Sequence, residues 1–214
     1  RGKPLLHRLV SSFNDVGVRE LTVVTGYKAD TVEFAGIKTV VNTEYEISGE
    51  VASLACALDA LNGECLVSYG DIMFRSHVLN RLLDCDADIA VVVDSNWQEE
   101  RSVTTKRTVD LVQCSHPYSA DYFDESVAEL TRIDSSLPES KANGEWIGLA
   151  KFSEKGSALL QAQIDQMRED GSLDKASMTD LFNRLIDDGA KPQVVYITGH
   201  WLDVNLSLIH ISEP

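Results

Sequence analysis

The stretch Glu64–Asp71, which reads ECLVSYGD, decides how the rest of the chain is interpreted. Its short apolar run has the length of a buried strand and stops at Gly70, where the backbone can turn without the steric penalty of a Cβ atom. A carboxylate follows at Asp71. Since ligands of open α/β sheets collect outside the carboxyl ends of the strands, the stretch predicts that Asp71 lies at a binding edge.

Helical periodicity and short apolar runs alternate on both sides of this stretch. Apolar residues recur at helical spacing from Leu5 to Phe13, and a strongly β-branched run covers Ile89 to Val93. This alternation predicts an α/β fold, a Rossmann-like, mainly parallel mixed sheet flanked by helices. Further strands are predicted at 20–25, 38–41, 145–152 and 193–198, further helices at 51–61, 78–83, 154–170 and 178–188, and an antiparallel excursion at 102–114.

The composition argues against several classes of function. The 214 residues carry a formal net charge of -15, which repels phosphate backbones and anionic membrane surfaces, so we expect no nucleic-acid and no membrane partner. No apolar run approaches the roughly 20 residues that cross a bilayer. The four cysteines form no CxxC pair, which is typical of free thiols in a reducing compartment, and we therefore predict a cytoplasmic protein.

Polar residues at predicted strand ends are the candidate site. Asp71 and Asp203 each follow a strand, and two such carboxylates could share one Mg2+ ion, which takes few protein oxygens and fills its shell with water and phosphates. Asn42 and Ser53 could read the edge of a nucleobase. Spacing alone leaves the ordinary alternatives open: solvated turn aspartates, a turn-capping asparagine and a serine on a helix surface.

Five segments in order carry a resemblance to a known family. Together they resemble the nucleotidyltransferases of the sugar-phosphate type, and within them the phosphonate and phosphocholine cytidylyltransferase branch. The stretch from Ser68 to Leu83 is most similar to the cytidylyltransferase domain found fused behind phosphoenolpyruvate mutase in phosphonate synthesis. The five segments are Gly2–Leu6, Val23–Tyr27, Ser68–Ile72, Gly144–Leu149 and Gly199–Asn205.

The resemblance implies a reaction and roles for individual residues. CMP would pass from CTP to a small phosphonate or phospho-alcohol such as 2-aminoethylphosphonate, with release of pyrophosphate. Asp71 and Asp203 would be the catalytic residues that hold Mg2+, and Glu145 would face the acceptor. The acceptor oxygen is already anionic, so the chemistry needs positioning and charge neutralisation rather than a general base. Asn42, Ser53 and Gly70 would lie beside the nucleotide.

Three more residues are candidates on the acceptor side. Trp201 could belong to an aromatic enclosure for an ammonium group, with Asp94 or Glu145 as its counter-charge. Lys151 could meet a phosphate. Packing in the core is the ordinary alternative for a tryptophan, and solvation is the ordinary alternative for a lysine.

The two ends of the chain depart from the family pattern. The first strand and the glycine-rich phosphate loop of the family have no counterpart, so we expect an N-terminally truncated nucleotidyltransferase domain over residues 1–206. Residues 207–214 (SLIHISEP) are expected to be a non-native tail. A sugar-1-phosphate nucleotidyltransferase and a non-catalytic nucleotide-binding domain stay open as alternatives, as does a homodimer.

Overall fold

The computed structural model describes residues 2–98, 108–121 and 123–204. The predicted alternation of helices and strands is present throughout. The helices are α1 (Leu5–Asp15), α2 (Glu50–Cys56), α3 (Ser76–Leu83), α4 (Glu154–Glu169) and α5 (Met178–Asp187). The strands are β1 (Leu21–Thr25), β2 (Ile37–Val41), β3 (Cys65–Ser68), β4 (Ile72–Phe74), β5 (Ile89–Asp94), β6 (Leu111–Cys114), β7 (Leu130–Ile133), β8 (Gly144–Phe152), β9 (Gln193–Ile197) and β10 (Trp201–Asp203).

Six strands form the main sheet, in the order β7-β6-β8-β5-β9, with β3 also paired to β8. The predicted mixed sheet flanked by helices is confirmed. Strands β5 and β9 pair in parallel, whereas β8 runs antiparallel to β3, β5 and β6. The sheet is more antiparallel than the periodicity suggests, because one long strand lies between β3 and β5 and reverses both pairings. Strands β1 and β2 form a separate parallel pair.

The main sheet separates two apolar cores. Ile89, Val91 and Val93 of β5 pack into one core, and Ala90 and Val92 pack into the other. The first core also contains buried residues of α4 and α5, and the second contains those of α1 and α3. A strand covered on both faces reads as a continuous apolar run, which is why β5 was easily predicted.

The local sequence explains where helices begin. The Ser177 hydroxyl accepts a hydrogen bond from the backbone N–H of Asp180, and the Asp180 carboxylate accepts one from the Ser177 backbone. This capping box satisfies two N–H groups that have no partner inside α5. On α4, the Ser153 hydroxyl accepts from the backbone N–H of Gly156 in the same way.

Some elements differ from the predictions. The helix expected at 51–61 ends at Cys56 and continues as a 3-10 turn at Leu58–Ala60. Strand β7 was not predicted, because it lies in a polar stretch without periodicity. Strands β4 and β10 were not predicted either, because each has only three residues and they are defined by their antiparallel pairing with each other. The predictions for residues 102–107 and for the tail at 207–214 lie outside the described residues. No helix in the described part of the chain is both long and apolar enough to span a membrane.

Gly156, in the first turn of α4, generates a test of the packing. A Cβ atom there would overlap the backbone oxygen of Asp88. Helix propensity alone favours alanine over glycine by about 1 kcal/mol. We nevertheless expect Gly156→Ala to lower the free energy of unfolding by about 1–3 kcal/mol, because a backbone atom cannot move aside as a side chain can.

Urea denaturation of the purified protein measures this change. Leu159→Ala, at an exposed position of the same helix, is the control and should change stability little. A stabilised Gly156→Ala protein would contradict the close approach of α4 to residue 88.

Candidate functional site

An acidic cavity of about 210 Å³ opens at the edge of the sheet where β3 ends and β8 begins. Three aromatic side chains, Tyr69, Trp146 and Trp201, share its wall with five carboxylates. Such a concentration of negative charge is costly unless cations compensate it. The five carboxylates are Glu50, Asp71, Asp110, Glu145 and Asp203.

The pairing of β4 with β10 brings Asp71 and Asp203 together. Asp203 lies opposite Ile72 in the antiparallel register, and the backbone N–H of Val204 donates to the Asp71 carbonyl oxygen at 2.7 Å. Burial raises the pKa of the Asp71 carboxyl, and the negative charge of Asp203 raises that pKa further. The two side chains therefore repel each other, and a cation between them would relieve that repulsion.

Glu145 lies at the same edge because β8 begins there. In the sheet it pairs with Asp94 on one side and with Leu111 on the other. Its side chain is only 2% exposed, and it lines the cavity. The structure thus brings Asp71, Asp203 and Glu145, three of the residues singled out in the sequence, to one cavity.

An aromatic wall closes the cavity from the core side. The rings of Tyr69 and Trp146 are 5.2 Å apart between centroids, and Trp146 also contacts Phe182. Gly148 has a φ of 81°, and a Cβ atom there would overlap the Tyr69 ring. Glycine at this bulged position of β8 is therefore what allows Tyr69 to lie against the strand.

Tyr69, Glu50 and Asp110 were missed by the sequence reasoning. Burial raises the pKa of Tyr69 strongly, with further contributions from the charges of Glu50, Asp110 and Asp71, so its phenol stays neutral beside these carboxylates. Tyr69 stands inside the stretch that identified Asp71, and Glu50 follows the turn that opens α2, so proximity along the chain was an available signal. Asp110 lies in a polar stretch without periodicity, so the sequence carried no signal that pointed to it.

Asn42 and Ser53 form a network beside the cavity rather than part of its lining. The Asn42 amide donates to the hydroxyls of Ser48 and Ser53, both at 2.9 Å, and its carbonyl accepts from the backbone N–H of Glu44. The network fixes the loop before α2, whose first residue, Glu50, does line the cavity. Gly70 is exposed next to Asp71, with open space where a Cβ atom would point.

Lys151 and Asp94 are not among the residues that line the cavity. The Lys151 amine, at the other end of β8, donates to the carbonyl oxygens of Leu83 and Cys85, both at 2.9 Å. The Asp94 carboxylate is completely buried and accepts hydrogen bonds from two backbone amides and from Trp201. These contacts leave neither group facing a substrate in the cavity. Trp201 itself does line the cavity.

The donor set at the cavity suits a hard cation that needs few protein ligands. Within residues 2–98, 108–121 and 123–204, no group of three or more His, Cys, Asp or Glu side chains is placed to hold a metal ion. Two carboxylates at close quarters, with the remaining positions open to water and phosphate oxygens, fit Mg2+ better than zinc, which prefers nitrogen and sulfur and a closed shell.

Three known proteins whose names describe transfer from CTP are similar to this chain in sequence or in fold. A curated relative, CTP:phosphoglutamine cytidylyltransferase of Campylobacter jejuni, is 21% identical over 224 residues, covering 96% of this chain and 85% of the relative. The inositol-1-phosphate CTP transferase structure from T. maritima superposes with a TM-score of 0.71 at 14% identity, covering 98% of this chain and 82% of the other. CTP:phosphocholine cytidylyltransferase from Streptococcus pneumoniae superposes with a TM-score of 0.61 at 15% identity, covering 99% and 85%.

The family assignment comes from the sequence itself. Residues 1–132 match the model of the MobA-like NTP transferase domain. That range includes Asp71 and the whole of β1 to β5. Since it spans well over half of the 214 residues, this chain belongs to the family of MobA-like NTP transferase domains, which are nucleotidyltransferases.

Proposed function

We propose that the protein transfers CMP from CTP to a small phosphonate or phosphate acceptor that carries an ammonium group, such as 2-aminoethylphosphonate, with release of pyrophosphate. The observation that carries the proposal is the presence of five carboxylates around one small cavity. Two anionic substrates can enter such a cavity only with cations, and a metal ion and an acceptor ammonium are the two that this reaction offers. The choice of CTP is supported by the three relatives, each of which acts on CTP by its name.

Asp71 and Asp203 are the residues that would hold Mg2+. Their mutual repulsion, visible in the raised pKa of Asp71, favours a bound cation. When bound there, Mg2+ would neutralise charge on the transferred phosphate and on the leaving pyrophosphate. The acceptor oxygen is anionic before it reacts, so no side chain of the cavity has to remove a proton.

The acceptor would lie between the proposed metal pair and Glu145. The Glu145 carboxylate receives the ammonium group, and the aromatic faces of Trp146 and Trp201 cover its methylene side. Tyr69, held neutral by burial, can donate a hydrogen bond to an anionic oxygen in the same space. We place the nucleoside beside Gly70 and beside the hydrogen-bond network of Asn42 and Ser53, which holds the loop that leads to Glu50.

Two other proposals accompany this function. We propose that the catalytic domain spans residues 1–206, which include Asp203 on the last described strand. All four cysteines are unpaired thiols, which suits the reducing environment of the cytoplasm.

A phosphate acceptor without an ammonium group is the alternative with a specific observation in its favour. The T. maritima relative acts on inositol-1-phosphate, whose polyol ring carries no ammonium group. A sugar or polyol phosphate would use the same carboxylates as hydrogen-bond acceptors for its hydroxyls. Acceptor preference therefore separates the two functions.

The direct test measures pyrophosphate release by the purified gene product with Mg2+. CTP, ATP, GTP and UTP are each paired with 2-aminoethylphosphonate, phosphocholine, inositol-1-phosphate and glucose-1-phosphate. We expect turnover with CTP and an amine-bearing acceptor. Turnover with the amine-free acceptors alone would establish the alternative, and no turnover with any pair would favour a non-catalytic nucleotide-binding domain.

Replacing Asp71 tests the metal pair through stability. Because the folded state raises the pKa of Asp71, it binds this proton more tightly than the unfolded state does. The resulting cost to stability is absent below the ordinary aspartate pKa of about 4 and is fully present above the raised pKa. Asp71→Asn removes the cost, so we expect its Tm at pH 7 without divalent ions to rise by about 1–2 °C, with no gain below pH 4.

Mg2+ should reverse the order of the two Tm values, so that the wild type becomes more stable than Asp71→Asn. Mg2+ raises the Tm of the wild-type protein, since a ligand that binds only the folded state stabilises it, and leaves Asp71→Asn nearly unchanged. Asp59→Asn, at an exposed position away from the cavity, is the control and should follow the wild type in both conditions. If Mg2+ raised the Tm of Asp71→Asn as much as the Tm of the wild type, Asp71 would not be a metal ligand.

Replacing Glu145 tests the acceptor. Glu145→Gln keeps the size of the side chain and its hydrogen bonding but removes the charge. We expect binding of an amine-bearing acceptor to weaken by about 1–3 kcal/mol, the range of a charge-assisted hydrogen bond, with CTP binding little changed. Steady-state KM values with amine-bearing and amine-free acceptors measure the difference.

The control is Glu64→Gln, at the residue before β3, whose carboxylate lies 3.8 Å from the amine of Lys151 near the far end of β8. It should leave both KM values unchanged. If Glu145→Gln weakens the binding of both acceptor types equally, Glu145 does not recognise an ammonium group, and the amine-free acceptor gains support.

A further inference from the structure

Asp94, the last residue of β5, is a completely buried carboxylate that accepts three hydrogen bonds. One oxygen accepts from the backbone N–H groups of Asn96 and Gly199, both at 2.9 Å. The other accepts from the indole nitrogen of Trp201 at 2.8 Å. A buried carboxylate is unfavourable without such donors, and donors to an ionised oxygen form stronger bonds than those to a neutral one.

Two of the three donors come from the turn that joins β9 to β10. Gly199 and Trp201 stand on either side of His200, whose φ of 68° lies in the left-handed region that disfavours side chains. A residue in that conformation persists when its surroundings fix it. The Asp94 carboxylate provides this fixation by holding the residue before His200 and the residue after it.

This turn sets the position and direction in which β10 begins, and the pairing of β10 with β4 carries that placement on to Asp203. Trp201 and Asp203 are two residues apart on β10, so they point to the same face of the strand, and both line the cavity. Leu202, between them, is 63% exposed on the other face. A change in the direction of β10 at Trp201 would therefore move Asp203 relative to Asp71.

We propose that Asp94 is a positioning residue for the divalent-cation site: by holding Gly199 and Trp201, it places Asp203 opposite Asp71. The inference rests on the proposed function, in which these two aspartates hold the metal. Asp94 touches no substrate and acts only through β10.

Three variants separate the effect of the hydrogen bonds from Gly199 and Trp201 to Asp94 from the effect of burying a charge. In Asp94→Asn, the amide oxygen can still accept from the two backbone N–H groups, but the amide nitrogen faces the indole N–H, so two donors oppose each other. Trp201→Phe removes the indole donor and leaves the other two bonds of Asp94. In the double variant, the opposed donors are gone, so part of the lost positioning should return. Ser95→Ala is the control, since Ser95 is next to Asp94 but its hydroxyl bonds the Ile197 carbonyl oxygen.

Two measurements on the full chain do not depend on turnover. Electron paramagnetic resonance of free Mn2+ gives the affinity of each variant for that ion. The indole N–H signals in an NMR spectrum of the 15N-labelled protein report the bond from Trp201, which is one of three tryptophans and is assigned by its loss in Trp201→Phe.

We expect Mn2+ affinity to fall by about tenfold in Asp94→Asn, the lower end of the range for residues that support metal ligands indirectly. The Mn2+ affinity of Trp201→Phe should fall several-fold. The double variant should bind Mn2+ more tightly than Asp94→Asn, and Ser95→Ala should bind it as tightly as the wild type. The Trp201 indole signal should shift in Asp94→Asn, with circular dichroism unchanged.

Different results overturn different statements. If the wild type binds Mn2+ and Asp94→Asn binds it within about twofold while the Trp201 signal has moved, Asp94 does not position the site. If the wild type does not bind Mn2+, the metal assignment in the proposed function fails first, and this inference fails with it. If Asp94→Asn does not fold, the Trp201→Phe variant is the deciding one. An unchanged Mn2+ affinity in Trp201→Phe would show that the hydrogen bond between Trp201 and Asp94 has no influence on Asp203.

Discussion

The antiparallel insertion of β8 between β3 and β5 is the constraint on which the candidate site depends. All nine residues of β8 are buried, and the strand pairs with β3, β5 and β6. Because it runs against its neighbours, its first residues lie where β3 and β5 end, so Glu145 meets the edge that also carries Asp71. A parallel strand in this place would have presented its last residues there instead, and Lys151 would have replaced Glu145 at the cavity.

The fold was largely predictable because the apolar pattern within an element shows which of its faces will be buried in the folded protein. β5 is apolar from Ile89 to Val93 since it separates two cores, and α1, α3 and α5 carry clear apolar faces. The orientation of β8 was not predictable, because an antiparallel and a parallel buried strand have the same apolar pattern. Strands β4 and β10 were not predictable either, since three residues carry no periodicity and pair only after the chain has folded.

The candidate site was predictable to the extent that strand ends determine it. Asp71 and Asp203 follow from their places after predicted strands and from the family resemblance, Glu145 follows from the resemblance alone, and the structure brings all three to one cavity. Asp94 also ends a strand, yet it points inward to three N–H donors, and Lys151 is taken up by two carbonyl oxygens. Whether a polar side chain at an edge faces solvent or core depends on tertiary partners, which spacing along the chain does not contain.

The bulge around Gly148 sets the distance between Glu145 and the aspartate pair, the space that the proposed acceptor would occupy. From Ile89 to Val91 the register pairs Val91 with Ala150, but beyond the irregularity Val93 pairs with Trp146 and Asp94 with Glu145. Two residues of β8 are absorbed there, and a regular ladder would have set Ile147 opposite Asp94, with Glu145 about 7 Å further out. The separation between the aspartate pair and the carboxylate on β8 is thus a length set by strand register, independent of which side chains occupy the cavity. In the proposed function, gaining or losing such a bulge would change the length of acceptor that fits, with the aspartates unchanged.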